Sequence, residues 1–340
     1  MKKKLLALLQ LILGIGLITF LFLRIREKGD LSKFADVLRS AADNWPLLLL
    51  GFSFFFACLL LCTYRWKLLL EAQDLRLSFG KVLVLYFVGS FFSTLLPGVT
   101  GGDVVKAIYA AREAPHKKTA AVSTVVIDRL IGLLALIVLA VIIMLARLPL
   151  FLSCAPMKMA LAFNSVLLVA ASVGLFVLFR HNLLERWPFF KRLEERTALG
   201  EIIGKAYSAF HVCMTHPSLL AKTLLLSAVN HVCFVVMIYF IGIGLGIRLS
   251  FIDYMTAFLI INAVAAIPLT PGGLGTREGA AIFILAVFNV PAPSAFSLSI
   301  LIYASLVMWG LLSGIVYLFY IYQSGPPPAA PDSGTEPAVP

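Results

Sequence analysis

The chain has 340 residues, of which 61% are hydrophobic and only 13% charged, against roughly 25% charged in an average soluble domain. With a mean hydropathy of +0.97, this composition excludes a water-soluble globular enzyme. At about 20 apolar residues per crossing, it leaves room for about eight membrane spans with short connections. The formal charge of +11 points to anionic lipid head groups as counter-charge. The cysteines (Cys58, Cys62, Cys154, Cys213, Cys233) form no CxxC pair and no cluster at metal-ligand spacing, so neither a disulfide framework nor a metal site is expected.

Taken in chain order, the first span is expected at about Leu5 to Leu23, between Lys2, Lys3, Lys4 and Arg24, Arg26, Lys28. The run is too long for a signal-peptide core and no A-x-A site follows, so it reads as a span rather than a cleaved leader. Leu31 to Ala42 places Leu31, Phe34, Ala35, Leu38 and Ala42 at helical spacing, the pattern of an amphipathic helix in the head-group plane. Further spans are expected at about Pro46 to Thr63, Val82 to Leu96, Ala120 to Ala146, Ala160 to Phe179, Leu219 to Ile243, Tyr254 to Ile267 and Ser294 to Tyr322. Gly279 to Phe288 is too short to cross alone. His181 to His216, with Trp187, Phe189 and Phe190 beside Arg186, Lys191, Arg192 and Arg196, reads as a second interfacial stretch. From Ser324 the Pro-rich chain cannot build a core and reads as a disordered tail. The expected division is therefore a transmembrane domain, 1–323, and a tail, 324–340. Lys and Arg counted by loop favour an outside N terminus, whereas Lys2 to Lys4 favour the reverse, so orientation stays open.

Two interruptions share the same parts. Pro97, Gly98, Gly101, Gly102, Asp103 and Lys106 make the first, and Pro271, Gly272, Gly273, Gly275, Thr276, Arg277 and Glu278 the second. Each runs Pro-Gly, then glycines, then an acid with a base nearby, and one falls in each half of the chain. Proline removes a backbone donor and glycine tolerates unusual φ/ψ, so each segment should unwind. Unwound backbone at membrane depth survives only against protein or water, and paired interruptions of this kind mark binding sites in inverted-repeat transporters. Two re-entrant segments in a pseudo-repeat, facing an anionic group, are expected. The competing reading is a pair of tight surface turns, with Thr100 and Asp103 as a capping box and Thr276 as an N-cap.

Asp128 and Arg129 lie inside the fourth expected span, where ionised side chains need partners. Neighbours on a helix do not face each other, so the expected pairings are Asp128 or Asp103 with Lys106 or Arg277, and Arg129 with Glu278 or a lipid phosphate. Asn230, His231 and Asn262 read as interhelical hydrogen-bond formers, Cys58 and Cys62 as packing residues, and Arg65-Trp66-Lys67 as an interface anchor. No nucleophile elbow, Walker loop, HExxH or GxGxxG occurs, so no catalytic residue, cofactor or metal is expected.

Leu96-Pro97-Gly98 through Gly101-Gly102-Asp103-Val104-Val105-Lys106, then Asp128-Arg129-Leu130-Ile131-Gly132-Leu133, then Pro271-Gly272-Gly273-Leu274-Gly275-Thr276-Arg277-Glu278, together resemble the lysylphosphatidylglycerol synthase transmembrane-region family. The resemblance covers about residues 5 to 323. It implies an all-α polytopic bundle of the inner or plasma membrane that moves lysyl-phosphatidylglycerol or another phosphate-linked lipid between leaflets. Larger members append an aminoacyl transferase domain; with no segment of that size here, the chain is expected not to aminoacylate lipid by itself or to bind nucleic acid directly. Lys106 departs from the arginine commoner in the family, offering a point charge rather than a fork. The expected function is lipid translocation, with the fifteen residues of the two breaks and the Asp128-Arg129 pair as phosphate-binding candidates. The alternatives are the membrane half of a lipid-modifying transferase with a separate soluble subunit, and a small-solute or proton-coupled transporter.

Overall fold

A computed structural model of the chain describes residues 31–95, 101–179, 216–266, 270 and 273–324, together with 16, 19, 20, 22, 23 and 26. Among the described residues, eleven helices carry the architecture: α1 (Leu31–Asp43), α2 (Trp45–Ala72), α3 (Phe79–Leu95), α4 (Gly101–Glu113), α5 (Lys118–Ala146), α6 (Leu148–Ser153), α7 (Ala155–Phe179), α8 (Pro217–Gly244), α9 (Phe251–Ala265), α10 (Thr276–Leu285) and α11 (Ala292–Ser324). One 3₁₀ turn, Ala286–Phe288, follows α10, and the described residues contain no strand. The all-α reading of the sequence holds.

Five of these helices, α2, α5, α7, α8 and α11, are long and apolar enough to cross a membrane. Their outward side chains are apolar: Leu145, Val166, Leu225 and Leu318 are each about two-thirds exposed. In water such a surface would aggregate, whereas in lipid it is the solvated face. The first expected span and the His181 to His216 stretch fall outside the described residues, apart from isolated positions of the former and His216, as does the tail beyond Ser324. The remaining seven expected spans coincide with helices, but two of them are shorter than a crossing. The 17 residues of α3 and the 15 of α9 rise about 26 and 22 Å, short of a hydrocarbon layer of about 30 Å. Each ends just before a Pro/Gly break and is followed by another short helix, α4 or α10, that packs back against it.

Which helices lie at the centre follows from which are apolar all round. Ten of the 15 residues of α9 are buried, so it is a core element rather than a lipid-facing one. Tyr254, Phe258 and Ile261 of α9 share one core with Met237, Ile238 and Ile241 of α8, Leu136 and Ala140 of α5, and Leu298 and Ile302 of α11. A second core joins Trp66 and Leu70 of α2 to Leu85 and Val88 of α3 and Tyr109 of α4. The amphipathic α1 forms as expected, and its Val37 and Ala41 face protein: both join the first core, and Ser40 donates to the Gly244 carbonyl at 3.1 Å.

Small residues set how closely the helices approach, as in other membrane bundles. A Cβ on Gly102 would lie 1.9 Å from Ser93 Oγ and 2.1 Å from the Gly89 carbonyl oxygen, so α4 rests directly on the backbone of α3. On α11, Gly310 and Gly314 abut Thr94 and Phe91 of α3 in the same way. Gly102→Ala should therefore destabilise the fold by about 2 kcal/mol through overpacking. Gly80→Ala, where the added methyl meets nothing within 4 Å, should leave the melting temperature in detergent unchanged; equal melting of the two variants would contradict the close α3/α4 contact.

Candidate functional site

Between the two breaks lies a cavity of about 400 Å³. The first break supplies Asp103 and Lys106 from α4, the second supplies Arg277 from α10, and α5 supplies Arg129. Ser90, Ser93 and Thr94 of α3, Asn262 of α9 and Tyr303 of α11 add polar groups, while Phe55, Leu59, Leu306 and Val307 make an apolar side. The cavity is thus lined by three cations and one carboxylate, all four among the residues singled out from the sequence. Arg129 sits about 16 Å along α5 from its first residue, near the middle of a crossing, by the rise of an α-helix.

The cations are not equivalent. Arg65 Nε donates to Asp128 Oδ1 at 2.7 Å and its Nη1 to Ser227 at 2.7 Å; both side chains of this ion pair are at least nine-tenths buried. Gly132 makes the pair possible, because its α-carbon faces the Arg65 guanidinium and a Cβ there would lie 3.2 Å from Nη1. Lys106 Nζ reaches the other Asp128 oxygen at 3.4 Å and lies over the rings of Trp66 at 4.6 Å and Tyr86 at 4.5 Å, a cation–π arrangement that suits a desolvated ammonium. Asp103 stands 3.9 Å from Lys106 and 3.4 Å from Arg129. The result is a chain of alternating charge, Arg65, Asp128, Lys106, Asp103, Arg129, running from the buried interior to the cavity.

Arg277 is different. Its Nε and Nη1 are shielded from solvent and have no hydrogen-bond partner, and the neighbouring Glu278 does not serve it. Glu278 is fully buried and accepts from the Gly275 N–H at 2.5 Å and from the Ser299 hydroxyl at 2.9 Å. It caps α10 from the N3 position, as a first-turn acid does. The N-cap is Gly275, with φ of 83°, rather than Thr276, whose hydroxyl turns back to the Gly273 carbonyl at 2.9 Å. Gly273, with φ of 74°, presses its α-carbon against Ala265 at the end of α9. Both glycines occupy the left-handed region where a side chain would be strained, and together they aim Arg277 into the cavity.

Several expectations change. Arg65-Trp66-Lys67 is not an interface anchor: Arg65 and Trp66 are buried, the Trp66 indole N–H donates to Thr124 at 3.0 Å, and only Lys67, paired with Glu71, faces outward. Arg129 pairs with Asp103, not Glu278. Asp128 does take Lys106, as expected, and takes Arg65 as well. Asp128, Glu278, Gly101, Gly102, Gly273, Gly275 and Thr276 stand around the cavity without lining it; Pro97, Gly98, Pro271 and Gly272 lie outside the described residues. His231 Nε2 is 3.0 Å from the Gly132 carbonyl, an interhelical bond as expected. Asn230 Oδ1 is buried with no partner, and Asn262 belongs to the cavity. Among the described residues no group of His, Cys, Asp and Glu could hold a metal.

The fold and this cavity define a multi-pass helical membrane protein with a cationic site between two broken segments. The family model described as lysylphosphatidylglycerol synthase TM region matches residues 8–321, and the chain belongs to that family. It is 25% identical over 250 residues to UPF0104 membrane protein PH1989 of Pyrococcus horikoshii, covering 68% of this chain and 74% of that one. It is 24% identical over 314 residues to a UPF0104 membrane protein of Methanothermobacter thermautotrophicus, covering 85% and 89%. No solved structure matches.

Asp128 is the one carboxylate shared by two buried cations, so Asp128→Asn should destabilise the protein by about 3 kcal/mol or more, whereas Arg129→Gln, breaking a half-exposed pair, should cost about 1 kcal/mol or less. Thermal unfolding in detergent measures both; the reverse order would contradict the burial of this chain of charges.

Proposed function

We propose that the cavity holds the phosphate-bearing head group of a membrane lipid and that the protein moves this lipid between leaflets. The observation that carries the reading is Arg277: a guanidinium with two shielded, unpaired donors beside a cavity that also presents Lys106 and Arg129. A phosphate satisfies such donors with charge-assisted, often bidentate hydrogen bonds, and the apolar side of the cavity suits the adjoining acyl or prenyl chain. The two Pro/Gly segments of the sequence that precede α4 and α10 support the reading, because paired interruptions of this kind mark binding sites in transporters that carry an anionic group past the midplane. A phosphatidylglycerol, aminoacylated as the family description names, or a polyprenyl-phosphate-linked species fits this chemistry. On this reading the site works by charge and shape, and the protein is a translocator of the inner or plasma membrane. A soluble transferase subunit would be a partner that supplies its lipid, not part of the translocation step.

Reconstitution into liposomes with fluorescent anionic, aminoacylated and zwitterionic phospholipids and a polyprenyl-phosphate sugar, followed by head-group accessibility across the bilayer, tests the proposal. Arg277→Ala is expected to abolish translocation at an unchanged melting temperature, and Arg277→Lys to retain a fraction. Full activity of the alanine variant would remove Arg277 from the mechanism. Well-folded wild-type protein that translocates none of these lipids would favour the transferase-half reading.

A further inference from the structure

We propose that the Asp103 carboxylate is a built-in competitor for the lipid phosphate: it holds Arg129 and yields it to an incoming singly charged phosphodiester by moving to Lys106. The inference rests on the anion-binding reading of the cavity and adds to it the charge of the ligand and the residue that sets its affinity.

Distances and exposure separate the two halves of the charge chain. Arg65 and Asp128 meet at 2.7 Å with side chains 7% and 5% exposed, a committed buried pair. Asp103 stands 3.4 Å from Arg129, with side chains 29% and 39% exposed, and 3.9 Å from Lys106. Both of the latter contacts exceed the roughly 2.7–2.9 Å of a strong charge-assisted hydrogen bond, so Asp103 is shared between two cations and bound tightly by neither. Asp103 and Lys106 are three residues apart on one helix, where side chains are neighbours. A small rotation of the carboxylate therefore exchanges Arg129 for Lys106 without leaving any charge alone.

The charge count fixes the ligand class. Four cations, Arg65, Lys106, Arg129 and Arg277, stand with three carboxylates in and around the cavity, Asp103, Asp128 and the Glu278 that caps α10, an excess of one positive charge. One phosphodiester negative charge closes the count on Arg129 and Arg277. A phosphomonoester dianion overshoots it. The competing carboxylate also keeps the site from holding anions so tightly that release fails.

The experiment measures binding of dihexanoyl-phosphatidylglycerol and of inorganic phosphate to the full chain in phosphatidylcholine nanodiscs, for wild type, Asp103→Asn and Asp103→Ser. Removing the competing charge should tighten phosphatidylglycerol binding about tenfold at low salt, and the gain should shrink as salt rises. An Asp103 with a merely structural role would give weaker binding or none. Binding of the lipid probe ahead of inorganic phosphate, with the gain in the neutral variants, supports the proposal; inorganic phosphate bound ahead of the lipid probe would overturn the phosphodiester assignment. If wild type binds and neither folded variant binds tighter, the competitor proposal fails while the anion site stands. If no chain binds either probe, the anion-site reading fails and this proposal with it. Failure of both variants to fold would make Asp103 a structural ion-pair member and overturn the proposal.

Discussion

A cation at membrane depth costs several kcal/mol unless a counter-charge or water meets it, and here Lys106, Arg129 and Arg277 line one cavity while another cation, Arg65, is buried behind it. Three of them, Arg65, Lys106 and Arg129, are met by two carboxylates in an alternating chain. The fourth, Arg277, is not, and its Nε and Nη1 have neither solvent nor a protein acceptor. The surrounding fold is arranged around this inequality. Gly132 opens space for Arg65, Trp66 and Tyr86 flank Lys106, and Glu278, which could have neutralised Arg277, is held away by Gly275 and Ser299.

The two broken segments explain how such a constellation can be assembled in a bundle of otherwise continuous helices. A side chain on an uninterrupted span points sideways, into a neighbour or into lipid. A helix that starts inside the bundle can place its first turn against an internal space, as α4 does with Asp103 and Lys106 and α10 with Arg277. The short lengths of α3 and α9, the Gly89/Gly102 contact that seats α4, and the left-handed glycines at 273 and 275 all serve that placement. The α5 helix, a full crossing, contributes Asp128 and Arg129 on adjoining faces, so one reaches inward to Arg65 and the other to the cavity.

Much of this was legible in the sequence because its signals are local. Apolar runs located the helices, the Pro-Gly-glycine-acid pattern pointed to Asp103, Lys106 and Arg277, and the charge inside an apolar run pointed to Arg129, the fourth charged residue that lines the cavity. What hydropathy could not separate was a crossing from a shorter helix that ends at a break, since α3 and α9 are as apolar as their neighbours. Arg65 was hidden for a different reason. Beside Trp66 and Lys67 at the end of an apolar run it has the look of an interface anchor, and only its contact with Asp128, 63 residues away, reveals it as buried. The available clue is that Asp103 and Asp128 compete for one Lys106, so a buried Asp128 calls for a further cation. Glu278 followed the same logic in reverse: its capping role depends on Gly275, not Thr276, taking the left-handed N-cap.

Native mass spectrometry of the protein released from its own membrane tests the central claim, that an unpaired Arg277 waits for a lipid phosphate. The wild-type chain is predicted to carry one anionic or aminoacylated phosphodiester lipid that survives gentle activation, and the folded Arg277→Ala chain to have lost it. Equal retention of that lipid by both chains, or a wild-type chain that carries only zwitterionic lipid, would contradict the account.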